Sequence, residues 1–190
     1  MSISLSGITK NFGEKHVLSN ISYNFGDKGL YLLTGISGSG KSTLLRVISA
    51  LIKPDSGSIE NSFGGVSYAF QDDRLFPWQR ALKNASINGD RTLAADYLRR
   101  LGLEDSMDKY PNELSGGMCR RVSLARAFVY GGVPLLLDEP FRGLDNNLKD
   151  IIRDIIIEQS KERTVICATH EKDIFAHAEA VLCIENGKLK

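Results

Sequence analysis

The sequence predicts an α/β fold: a parallel sheet flanked by helices, an antiparallel β layer at the N-terminus, and a small helical subdomain inserted in the core. Three observations predict it. The first third alternates apolar and polar residues, which is the period of a strand with one buried face. The middle third has a helical period. The last third sets short continuous apolar runs against a helix, the pattern of parallel strands buried on both faces.

Residues 2–9 (Ile3, Leu5) and 17–25 (Leu18, Ile21, Tyr23, Phe25) read as strands, with a break at 11–13. Leu30-Tyr31-Leu32-Leu33 is the run of a buried strand over 29–34. A glycine-rich turn follows, then a helix from 41 to 51, where Leu44, Leu45, Val47, Ile48 and Leu51 recur at helical spacing. Pro54 and Gly57 close that region, and 58–60 and 66–70 read as strands. From 79 to 130 the helical period dominates. Leu93, Tyr97, Leu98 and Leu101 share one face, Met118, Val122, Ala125 and Val129 another, and 108–114 is a loop. Residues 133–137 form an apolar strand. The segment 148–159 is long for a strand, and Ile151, Ile152, Ile155 and Ile156 stand at helical spacing, so it reads as a helix. A strand over 164–168, a short helix over 171–178 and a closing hairpin over 180–185 and 187–189 complete the chain.

The chain has 190 residues, 42% hydrophobic and 25% charged, which suits one sizeable core. A formal net charge of +1 gives no field to draw in nucleic acid or an anionic membrane. No apolar run approaches the ~20 residues that cross a bilayer, and residues 1–10 do not have the apolar stretch of a signal peptide. A cytoplasmic location is expected. Cys119, Cys167 and Cys183 are widely spaced and odd in number, which fits buried or half-buried small hydrophobes in a reducing compartment.

Gly35-Ile36-Ser37-Gly38-Ser39-Gly40-Lys41-Ser42 matches the phosphate-loop pattern G-x-x-x-x-G-K-[ST], and lies where a strand gives way to a helix. Glycines let the backbone turn its N–H groups inward around phosphates, and the helix adds its positive end. The Lys41 ammonium reaches the terminal phosphates, and the Ser42 hydroxyl, followed by Thr43, is a hard ligand for Mg²⁺. The core is therefore expected to be that of a P-loop NTPase. Pro134-Leu135-Leu136-Leu137-Asp138-Glu139 is an apolar strand ending in two carboxylates. Asp138 is expected to hold Mg²⁺, and Glu139 to orient or deprotonate the attacking water.

Leu114-Ser115-Gly116-Gly117-Met118, followed by Cys119-Arg120-Arg121-Val122, resembles the LSGGQ signature of ATP-binding cassette (ABC) transporter subunits, with Met118 in place of the glutamine. A serine hydroxyl and glycine N–H groups at a helix start form a second anion site. The resemblance runs from Phe12 to the final hairpin. It implies that Ser115, Gly116 and Gly117 contact the γ-phosphate held by a second subunit, with two ATP molecules sandwiched head to tail. It further implies that Gln71 is the Q-loop glutamine reaching Mg²⁺ and the attacking water, that His170 contacts the γ-phosphate, and that Phe12 stacks on adenine. Phe141-Arg142-Gly143-Leu144-Asp145 matches the family's D-loop only at Leu144-Asp145. Catalysis is thus expected of Lys41, Gln71, Glu139 and His170, nucleotide contacts of Phe12, Gly35, Ser37–Thr43 and Ser115–Gly117, and metal ligation of Ser42, Gln71 and Asp138.

The expected unit is one ABC ATPase domain over 1–190, with a helical subdomain at about 72–128 that is compressed, and no appended regulatory domain after Lys190. Gln71-Asp72-Asp73-Arg74-Leu75-Phe76-Pro77-Trp78 is similar to the Q-loop region of importers for nitrate, sulfonates and taurine. The resemblance implies Mg-dependent ATP hydrolysis driving solute import, at the inner face of the cell membrane. The expected partners are integral-membrane permease subunits, a second copy or related ATPase subunit, and a solute-binding protein. Alternatives are an exporter subunit, or a soluble ABC ATPase acting on nucleic acid or ribosomes. The second has no support from a basic patch, a long coiled coil or a second cassette.

Overall fold

A computed structural model describes residues 2–87, 89–131 and 133–190. Two sheets organise these residues. The first is antiparallel, in the order β2-β1-β4, built from β1 (Ile3–Phe12), β2 (Lys15–Phe25) and β4 (Ser56–Asn61). The second runs β5-β6-β7-β3-β8-β9, from β3 (Gly29–Thr34), β5 (Ser67–Ala69), β6 (Leu135–Asp138), β7 (Thr164–Ala168), β8 (Ala180–Glu185) and β9 (Lys188–Leu189). Its pairings are parallel except for the β8–β9 hairpin. The α/β expectation, with a parallel sheet and an added antiparallel layer, holds.

Strand alternation divides the core. On β3, Leu30 and Leu32 face one buried cluster, and Tyr31 and Leu33 the other. On β6, Leu135 and Leu137 join the first cluster and Leu136 the second. The first cluster is closed by α3 (Arg91–Arg100), α4 (Gly116–Val129) and α5 (Asn146–Glu162), with the short α2 (Ala81–Ala85). The second is closed by α1 (Lys41–Ile48) and the antiparallel layer. Both faces of β3, β6 and β7 are therefore buried, which explains their unbroken apolar runs. Helices α2, α3 and α4 pack on one another, and α4 also reaches β5.

Several expected boundaries move. The first helix stops at Ile48 rather than 51, because Ala50 turns left-handed at φ 59° and leaves Leu51 exposed. The first strand continues through 11 to Phe12, and the turn falls at 13–14. The loop 108–114 holds a 3-10 turn at Pro111–Glu113. Leu93 is exposed, whereas Tyr97, Leu98 and Leu101 are buried. The short helix expected over 171–178 is only a 3-10 turn at Phe175–His177. Thr169 Oγ1 captures the Glu171 N–H at 3.1 Å, and a stretch this short offers few of the bonds that repay helix nucleation.

Candidate nucleotide site

Strands β3, β6 and β7 lie side by side, and their C-terminal ends deliver the phosphate loop, the two carboxylates and His170 to one edge of the sheet. The loop between β3 and α1 turns tightly. Gly35 sits at φ 135°, and a Cβ there would stand 2.4 Å from the Ile184 carbonyl oxygen and 2.8 Å from Ser39 Oγ. Gly40, at φ 111°, is the cap of α1. Both positions need glycine for conformational reasons, and Gly35 for space as well.

Lys41 is buried, and its Nζ donates to the Gly35 carbonyl at 2.7 Å and the Ile36 carbonyl at 3.3 Å. The same Nζ lies 3.3 Å from His170 Nε2, which lies 3.2 Å from Glu139 Oε1. Ser42 Oγ donates to Asp138 Oδ1 at 2.9 Å. Asp138 ends β6 fully buried, and its second oxygen accepts from the Tyr68 hydroxyl at 3.4 Å. Burial, then the neighbouring Asp138 charge, pushes the Tyr68 hydroxyl's pKa upward, so Tyr68 stays protonated and a donor. Glu139 has left-handed backbone at φ 51°, unusual for a residue with a side chain, and its N–H donates to the Ala168 carbonyl at 2.9 Å. Half-burial raises its carboxyl above the ordinary 4.5; His170 and Lys41 oppose the rise, and Asp138 adds to it.

A cleft of about 350 Å³ gathers Phe12, Ser37, Gly38, Gly40, Lys41, Ser42, Thr43, Gln71, Glu139 and His170, with Lys15 and Val17. Gly35 and Ser39 line an adjoining cleft that shares Ser37 and Gly38 with the first. Phe12 is half exposed at the end of β1, free to offer a ring face. The donor set suits a magnesium-bound triphosphate. Ser42 lines the cleft and its Oγ is in contact with Asp138 Oδ1, two hard oxygens, and Gln71 lines the same cleft. Ser39 Oγ is buried and has no hydrogen-bond partner among the described residues.

Ser115, Gly116 and Gly117 do not line either cleft. Ser115 caps α4, its Oγ accepting from the Met118 N–H at 3.3 Å, and a Cβ on Gly116 or Gly117 would meet nothing within 4 Å. Met118 packs, partly buried, against the core. Asp145 caps α5 through the Leu148 N–H, and Arg142 is exposed. Tyr68 and Arg120 escape the sequence reading. No sequence signal marks Arg120, a charged residue in a helix whose burial only the fold reveals.

A phosphate-loop turn between a parallel strand and a helix, with two carboxylates at the end of the strand beyond its neighbour, defines a nucleoside triphosphatase of the phosphate-loop class. The ABC transporter family model matches residues 18–142, and the chain belongs to that family: it is an ATP-binding, ATP-hydrolysing cassette. It is similar to the aliphatic sulfonates import ATP-binding protein SsuB of Corynebacterium glutamicum, 38% identical over 96% of this chain and 80% of that protein. It is also similar to the protein of the same description from Zymomonas mobilis, 36% identical over 100% of this chain and 84% of that one. Among solved structures, a dimeric bacterial ABC transporter cassette superposes with a TM-score of 0.88 at 26% identity, over 99% of this chain and 96% of that one. The ATP-bound bacterial Atm1-family exporter superposes at 0.89 over 100% of this chain and 38% of that one; at 21% identity it speaks for the fold alone. No helix among the described residues is long and apolar enough to cross a membrane.

Proposed function

We propose that this chain is the ATPase subunit of an importer for a small organic anion of the sulfonate class, working as a head-to-tail dimer beneath a membrane permease. The single observation that carries the ATPase part is the cleft in which Lys41, Ser42, Gln71, Glu139 and His170 meet, with Asp138 bonded to Ser42. The sulfonate part is supported by the description of the relatives and by the Gln71–Trp78 segment. Asn84 of α2 is buried and clasps the turn at the end of that segment: its Oδ1 accepts from the Phe76 N–H at 2.8 Å and its Nδ2 donates to the Gln79 carbonyl at 2.8 Å. Trp78 is left 67% exposed, suited to a permease partner. The unit is read as one cassette over 1–190 with a helical subdomain at about 72–128, peripheral to the cytoplasmic face of the membrane, with a solute-binding protein serving the permease.

Phe12 stacks on the adenine, and the loop 35–43 surrounds the phosphates with N–H groups. Lys41 exchanges its carbonyl partners for phosphate oxygens, which neutralises charge where hydrolysis builds it up. Ser42, Asp138 and Gln71 would hold Mg²⁺, which supplies Lewis-acid charge neutralisation when bound. Glu139 accepts a proton from the attacking water, and its raised pKa makes it a better acceptor than an exposed glutamate. His170 holds the Glu139 carboxylate from one side. Ser115, Gly116 and Gly117 of a second copy close over the γ-phosphate. That they do not line this chain's own cleft supports that reading.

Expression in the native host with gentle membrane extraction tests it. The chain should co-purify with an integral-membrane permease, and vesicles holding the complex should take up an alkanesulfonate only with Mg-ATP. Co-purification with ribosomes or nucleic acid instead would overturn the transport reading, and ATP-driven efflux would overturn import.

A further inference from the structure

Arg120 lies in the second turn of α4, the helix that Ser115 caps, and its side chain is buried. One terminal nitrogen donates to the Phe70 carbonyl and, at 3.4 Å, to the Gln71 carbonyl. The other donates to the Asp138 and Glu139 carbonyls, both at 2.9 Å. Asp73 Oδ1 stands 3.6 Å away as counter-charge. The guanidinium therefore bridges the backbone of the Gln71 segment and the backbone of the carboxylate strand end, from a side chain anchored on the signature helix. The rigid fork of arginine can bind two carbonyls through each nitrogen while holding a single geometry.

The arrangement is expensive for a mere filler. A buried guanidinium loses its hydration, and Nε is buried with no hydrogen-bond partner among the described residues. One residue it holds also needs holding: Glu139 keeps a left-handed backbone at φ 51°, a conformation that costs a residue with a side chain free energy. Arg126, further along α4, donates at 3.0 Å to the Asp73 and Arg74 carbonyls, so the Gln71 segment is fastened to this helix at two points.

We propose that Arg120 is a positioning residue for hydrolysis: it fixes the backbones of Gln71 and Glu139 to the signature end of α4, so that engagement of Ser115–Gly117 sets the aim of the Glu139 carboxylate. The inference rests on the reading of Glu139 as the group that handles the attacking water. Arg120 lines neither of the two clefts and acts through the residues it holds.

The test compares Arg120→Leu and Arg120→Lys with the unaltered full-length chain. It measures ATP turnover, KM, affinity for a fluorescent ATP analogue and thermal melting, with Glu139→Gln alongside. Misplacement by an ångström costs about 100-fold in rate, so Arg120→Leu should lower kcat roughly 10- to 100-fold while KM and nucleotide affinity stay within about threefold. Arg120→Lys, which keeps the charge and part of the carbonyl set, should lose less than about fivefold. Unchanged kcat, affinity falling in step with kcat, or a lysine variant no better than leucine would each overturn the proposal. Should Arg120→Leu not fold, the lysine variant decides: reduced kcat at unchanged affinity supports it, and unaltered kcat overturns it. Normal turnover in Glu139→Gln would sink the reading of Glu139. An inactive Glu139→Gln beside unaffected Arg120 variants would sink only this inference.

Discussion

Gly35 and Gly117 stand in the two segments of this chain that are suited to phosphate, yet their surroundings differ. Gly35 is wedged against the Ile184 carbonyl and Ser39, in a backbone conformation only glycine takes easily. Gly117 has helical backbone and open space where a side chain would project. The phosphate loop is specified by contacts inside the chain: Lys41 to Gly35 and Ile36, and Ser42 to Asp138. Little inside the chain demands glycine at the signature. On the proposed reading of a site shared between two copies, any requirement for glycine there would come from what approaches from outside.

The carboxylate end of β6 belongs to the inward-specified region and offers the largest effect. Glu139→Gln keeps the shape and removes the proposed proton acceptor, so turnover should fall roughly 100- to 10,000-fold while ATP still binds. Stability should move the other way. The folded pKa of Glu139 is raised, so the favourable contribution of its protonated form is present below 4.5 and is lost as pH rises through the folded value. At neutral pH the native carboxylate is therefore a desolvated charge, and the glutamine variant should melt no lower than the parent. A calorimetric scan and a steady-state ATPase assay check both halves. Normal turnover would remove Glu139 from the inward-specified machinery altogether.

The glycine pair separates the regions directly. Gly35→Ala should destabilise the chain by more than about 1 kcal/mol, because φ is positive and the new methyl would overlap a backbone oxygen. Gly117→Ala should leave the melting temperature of the isolated chain almost unchanged, since a helix accepts alanine at least as readily as glycine. Its hydrolysis should nonetheless fall, with weaker nucleotide-dependent dimerisation in size-exclusion chromatography. If Gly117→Ala dimerises and turns over normally, the outward-facing role of the signature is lost, and the contrast between the two glycines becomes one of packing only.

The same contrast explains what could be read from the sequence. The phosphate loop was legible because its chemistry constrains residue types at fixed spacing, and β3, β6 and β7 because burial on both faces leaves unbroken apolar runs. The tertiary contacts were not legible. Arg120 reads as a surface arginine in a helix, and only the fold brings it to four carbonyls from two distant segments. Tyr68 likewise reads as a strand residue until β5 and β6 pair and set its hydroxyl against Asp138. The helix expected over 171–178 failed on local competition from Thr169, a side-chain to backbone bond that periodicity does not register.

The smallest effect lies between the two regions, at His170, which is exposed yet reaches the inward-specified Lys41 and Glu139. Glu139 accepts a proton only when ionised, so kcat/KM should fall as pH drops through its pKa, and that acid limb should lie above 4.5. Among the influences that hold the value down, His170 comes first, then Lys41. His170→Gln removes the first and leaves burial and Asp138 unopposed by it, so the acid limb should move to higher pH. Lower turnover at neutral pH would accompany the shift. A pH profile of kcat/KM in both proteins reads the displacement. An acid limb that stays in place would mean that His170 does not share a field with Glu139 in the free enzyme. Its contribution would then arise only once the second subunit has closed, on the same footing as Gly117.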